Sequence, residues 1–177
     1  MGMVIRERYD DETGVLQPGT VRYATDEVTV RDPWPTDLES CLGVIGRGSP
    51  QREAFAWHLA ELAGWVAQAL RSDPGRRLWL RGTFASTIWP DVDEVDVVLI
   101  YDDRVLARSD RWVLQLLASG PIELHPGRLS VTAIRHNVDS EMDIDREARR
   151  SAVRVTDPHT GNQLVTGWLE IEEGGAR

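Results

Sequence analysis

Lysine is missing from this chain. All 20 basic residues are Arg, so every side-chain cation other than a histidine is a planar fork suited to carboxylate or phosphate. Cysteine is nearly missing too: Cys41 stands alone, which excludes an internal disulfide and a cysteine-built zinc site. With Leu42 and Val44 around it, Cys41 reads as a small buried hydrophobe. His58, His125, His136 and His159 lack the spacing of metal ligands. No stretch approaches the roughly 18 consecutive apolar residues of a membrane span, and residues 1–11 are polar and charged, unlike a signal peptide. The expectation is a cytoplasmic protein with no membrane partner. Positive charge is also in deficit, at a net −9. That argues against nonspecific attraction to nucleic acid, whose affinity comes from neutralising phosphates, while leaving room for a local basic patch.

What is present suffices for one core. With 177 residues, 41% of them hydrophobic, the chain fits a single domain over 1–177, with an acidic, turn-rich lead over 1–36 and a core over 49–172. In the lead, extended pieces at 21–23 and 27–30 would wrap the core or pair at a sheet edge. Asp32-Pro33-Trp34-Pro35 ends that segment, since paired prolines cannot continue a strand ladder. After a loop at 43–48, Ser49 caps a helix, with Pro50 at its first position and Glu53 closing a capping box. Phe55, Leu59, Leu62, Val66 and Leu70 recur at helical spacing, so one long amphipathic helix runs to about Asp73-Pro74-Gly75. Strands are predicted over 78–81, 95–101, 128–134 and 163–171, helices near 109–118 and 140–150, and a short extended piece at 121–124.

The richest stretch is Leu78-Trp79-Leu80-Arg81-Gly82-Thr83-Phe84, followed by Asp91-Val92-Asp93-Glu94-Val95-Asp96-Val97. It reads as strand, small-residue turn, acidic cluster, strand. Glu94 and Asp96 alternate with valines at the head of an apolar run, and period-two geometry points both to one face. Two carboxylates on one face repel each other and resist burial, so solvent, an Arg partner or a hard divalent cation must offset them. Asp91 and Asp93, after Trp89-Pro90, read as turn and cap residues. Gly82-Thr83 reads either as an ordinary strand-end turn or as a place where backbone N–H groups approach a phosphate closely.

The order apolar-Gly82-Thr83, ten residues over 84–93, then Glu94-Val95-Asp96-Val97 resembles the signature of the nucleotidyltransferase superfamily, the polymerase beta-like or minimal nucleotidyltransferase fold. Thr83 stands where the family turn has Ser or Gly, and Glu94 where the first acid is commonly Asp. Thr13-Gly14-Val15-Leu16-Gln17-Pro18-Gly19-Thr20, then Ala24-Thr25-Asp26-Glu27-Val28, resembles the opening of a group of uncharacterised small bacterial proteins of that kind. Asp157 through Gly167 to Ile171 would fill the group's C-terminal pattern. The resemblance implies an α/β (α+β) fold: a nucleotidyltransferase-like mixed sheet with flanking helices behind an extended N-terminal lead. It implies Glu94 and Asp96 as catalytic and metal-binding residues for Mg2+ or Mn2+, and Gly82 and Thr83 as the nucleotide-binding turn for a nucleoside triphosphate.

The family also uses a third carboxylate on the next core strand. Here that strand, Leu129-Ser130-Val131-Thr132-Ala133-Ile134, offers Ser130 and Thr132, neither of which replaces an acid, and leaves Glu123 on the short piece before it as a weak third metal ligand. Arg81 beside the turn, or Arg128 and Arg135 flanking the later strand, could hold a triphosphate, with solvation at the surface the other reading of each. Of the seven tryptophans, Trp57, Trp65, Trp79 and Trp112 read as packing, and Trp89 as a cover or gate for a bound nucleotide. Two functions follow as expectations. One is metal-dependent transfer of a nucleoside monophosphate to an RNA, protein or small-molecule acceptor. The other is an inactive nucleotidyltransferase-like fold that binds a nucleotide or a protein partner, as in a toxin–antitoxin or phage-related system.

Overall fold

Alternation of apolar residues builds a sheet, and the helical stripe covers one side of it. The computed structural model describes residues 8–11, 14–17, 21–24, 27–30, 33–136, 154–157 and 159–172. In chain order its strands are β1 (Val21–Ala24), β2 (Glu27–Val30), β3 (Trp34–Asp37), β4 (Arg77–Arg81), β5 (Glu94–Tyr101), β6 (Ile122–Glu123), β7 (Arg128–Arg135), β8 (Arg154–Thr156), β9 (Gln163–Val165) and β10 (Leu169–Glu172). Its helices among the described residues are α1 (Leu38–Ile45), α2 (Pro50–Ala69) and α3 (Arg108–Leu117). A six-stranded mixed sheet runs β3-β10-β4-β5-β7-β6, while β1 with β2 and β8 with β9 form two-stranded pairs. The class is therefore mixed α and β. The helix expected near 140–150 lies outside the described residues.

Alpha helix α2 starts as its sequence asks, with Ser49 Oγ accepting from Arg52 N–H and Pro50 in the first turn. The capping box does not form: Arg52 is the third residue past the cap, and Glu53 gives only its backbone N–H to the Ser49 carbonyl. Phe55, Leu59, Leu62, Val66 and Leu70 are buried against Leu78 and Leu80 of β4 and Val95, Val97 and Leu99 of β5. Opposite parity on the same strands makes a second, smaller cluster on the far face, where Trp79 and Trp168 meet edge to face at 4.5 Å between ring centroids, beside Val98 and Ile100.

Three expectations need correction. The first half of the loop placed at 43–48 belongs to helix α1, which runs to Ile45 because Asp37 caps it by accepting from Ser40 N–H at 2.7 Å and Gly43 only weakens it. Trp34-Pro35 does not end the lead: β3 is an edge strand parallel to β10, and an edge is where a residue with no N–H is tolerated. The single last strand over 163–171 is two, β9 and β10, separated by the buried Thr166 and Trp168. The pieces expected at 21–23 and 27–30 to wrap the core or join a sheet edge are β1 and β2, which pair with each other antiparallel, apart from the six-stranded sheet; ahead of them Tyr9 and Leu16 are buried and paired with each other, and Gly167 N–H donates to Leu16 O.

Candidate functional site

Strand β5 carries Glu94 and Asp96 on the face away from the helices, partly exposed between the buried Val95 and Val97. Register then selects their neighbours. Asp96 lies across from Arg81 of β4 on one side and Ser130 of β7 on the other, and Glu94 lies across from Arg128. Residues directly opposite share a face. Arg81 Nε donates to Asp96 Oδ2 at 2.7 Å, and its Nη2 approaches Thr132 Oγ1 at 3.4 Å. Arg128 Nη2 donates to Glu94 Oε2 at 3.2 Å. Of the three ways to offset this carboxylate pair, an arginine partner is the one on view for each acid. Arg81 is the more sequestered, with 12% of its side chain exposed against 45% for Arg128.

Glu123 is across from Arg128 on β6, on the side away from Glu94. Two strand spacings, roughly 10 Å, separate it from Glu94, so it does not join the pair. Among the described residues no group of three or more His, Cys, Asp or Glu is assembled for a metal ion. Asp91 and Asp93 are exposed, as turn residues are.

The turn sits directly beside the acids. Gly82 leaves β4 at φ 80° and ψ −163°, a conformation side chains resist, and a Cβ placed on it would lie 3.8 Å from the Asp96 Cβ. Thr83 opens a single 3₁₀ turn, Thr83–Ala85, whose own bonds run from Ala85 N–H to Gly82 O and from Ser86 N–H to Thr83 O. The amides of Thr83 and Phe84 are thus left outside that ladder, as first-turn amides are. The structure brings Gly82, Thr83, Glu94 and Asp96 to one end of the β4–β5 pair. Trp89 does not stand over them: it is half-buried against the main core.

One residue at this site has no counterpart in the sequence reading. Arg52, 1% exposed, sends its guanidinium beneath the turn and donates to Ile45 O at 2.7 Å, Phe84 O at 3.2 Å, Ser86 O at 2.5 Å and Trp89 O at 2.7 Å. Tyr9 Oη donates to Ala85 O at 2.8 Å, and Ser86 Oγ accepts from Leu16 N–H at 3.1 Å. Burial lowers the Arg52 pKa to about 10, which still leaves it charged at neutral pH. With the carbonyls of residues 84–86 and 89 drawn inward, the path of the loop is set from below. Between Gln51 and Glu53, Arg52 looks like an ordinary polar residue of a first helical turn, and no local signal marks it.

No protein-family model matches the chain, and no curated protein or solved structure does.

Proposed function

We propose that the turn after β4 and the head of β5 form a nucleotide site of the nucleotidyltransferase kind, serving metal-dependent transfer of a nucleoside monophosphate from a nucleoside triphosphate to an acceptor hydroxyl. The observation that carries this reading is the abutment of a positive-φ glycine turn on two same-face carboxylates, Gly82 against Asp96. Glu94 and Asp96 fit a magnesium ion as two hard oxygen donors, a number suited to an ion that keeps waters and takes substrate phosphates for the rest. When bound, the ion neutralises phosphate charge and lowers the pKa of a coordinated hydroxyl. Arg81 and Arg128 would pass from carboxylate to phosphate oxygens as the nucleotide enters, so both ion pairs are exchanged and no charge is stranded. Binding of nucleotide and metal is therefore expected to be mutually dependent.

A second reading is favoured by Ser130, which stands beside Asp96 at the position where a third acid would serve. On that reading the site binds nucleotide without turning it over. A thermal-melt titration with each nucleoside triphosphate, with and without magnesium or manganese, separates the possibilities. The native chain should be stabilised by about 2.7 kcal/mol when both ligands reach 100 times the dissociation constant, far less by either alone, and Asp96→Ala should lose the shift. Stabilisation without pyrophosphate release would select the binding module. No shift with any pair at millimolar ligand would sink both readings.

A further inference from the structure

We propose that the helical layer is the contact face of a two-fold dimer, in which α3 of one copy lies on α2 of the other. Among the described residues the exposed large hydrophobics are Trp57 at 58%, Trp112 at 64% and Leu116 at 53%. All three stand on the outer faces of these two helices, and their surroundings carry opposite charge. On α3, Arg108, Arg111, Trp112 and Leu116 are exposed at helical spacing, forming one basic and apolar stripe. On α2, Glu53, Trp57, Glu61 and Gly64 are exposed at the same spacing, forming an acidic and apolar stripe.

The two stripes complement each other in charge and in shape. Among the described residues neither Glu53 nor Glu61 makes an ion pair, nor does Arg108, and Arg111 gives one Nη2 bond to the Asp103 carbonyl. A Cβ added to Gly64 would have nothing within 4 Å, so this position is a shallow notch open to a projecting ring. Both helices cover the same side of the sheet, and a cavity lined by Gln68 in the last turn of α2, by Arg71 after it and by Ala107 and Asp110 at the start of α3 joins their ends. One rotation axis through that layer can therefore place α3 on the partner's α2 and α2 on the partner's α3, the self-complementary arrangement that a closed pair requires. Arginines flanking one apolar centre then meet glutamates flanking the other, which sets register and suppresses the like-charged alternative. A partner of another kind would need an acidic apolar face and would leave the acidic stripe of α2 unused.

Sedimentation equilibrium across a range of protein concentrations at low salt tests this. The native chain should rise from 19.9 kDa toward twice that mass. Arg108→Glu with Arg111→Glu, and separately Glu53→Arg with Glu61→Arg, should each weaken association by at least about tenfold through like-charge contact. An equal mixture of the two double variants should dimerise again, because every α3–α2 contact between them is then oppositely charged. Circular dichroism melts establish that each variant keeps its helices, since only exposed side chains change. A native chain that stays monomeric throughout would overturn the proposal, as would a dimer that both variants retain or a mixture that fails to recover.

Discussion

Arg52 makes four hydrogen bonds to backbone carbonyls from a position 1% exposed, and no carboxylate shares in them. Its worth is the order it imposes on residues 84–89, the far side of the Gly82 turn. Arg52→Met keeps much of the volume and strands those carbonyls, so a loss of about 3–5 kcal/mol is expected in urea unfolding. A loss under about 1 kcal/mol would show that water or a loop shift replaces the guanidinium. At the same scale Gly82 was legible in sequence, because a Gly between a strand and a small hydroxyl residue has few other uses, whereas Arg52 was not. Its partners lie 7 to 37 positions away along the chain, and nothing local distinguishes it from a solvated arginine.

Helix α1 depends on the residue that caps it. Asp37 accepts from both the N–H and the hydroxyl of Ser40, and those bonds hold its carboxyl below the ordinary value. A depressed folded pKa means that the cap contributes fully above the unfolded value near 3.8 and is lost as pH falls through the folded one. Asp37→Ala should cost about 1 kcal/mol at neutral pH. The gap between native and variant melts should close as pH drops through the carboxylate range, and a gap independent of pH would contradict the cap as the cause. The long helix, the strands at β4, β5 and β7 and helix α3 all followed from periodicity. Helix α1 escaped because eight residues with an internal glycine make a weak periodic signal, and β3 because two prolines argue against a strand except at an edge. Trp57 and Trp112 were expected to pack and instead stand exposed, since position on a helix does not say how far its neighbours reach around it.

For the molecule as a whole, the net charge of −9 opposes association with polyphosphate in bulk. Labelled duplex of random sequence, at about 0.15 M salt, should show no change in fluorescence anisotropy at micromolar protein. A salt-sensitive rise would mean that arginines gather on one surface strongly enough to overcome the net charge. Such a result would bring RNA forward as the acceptor.

The sequence by itself determined the alternation that sends Glu94 and Asp96 to one face, the stripe that buries α2 and the turn that Gly82 allows. Each follows from the fixed periods of helix and strand or from the reach of a single φ angle. Only the tertiary structure decided what those groups meet. Arg81, Ser130 and Arg128 became the neighbours of the acids through the register of β4, β5 and β7, and Arg52 came under the turn through the packing of α2. Register depends on which strands lie side by side, and a slip of one residue would turn every one of these side chains to the opposite face.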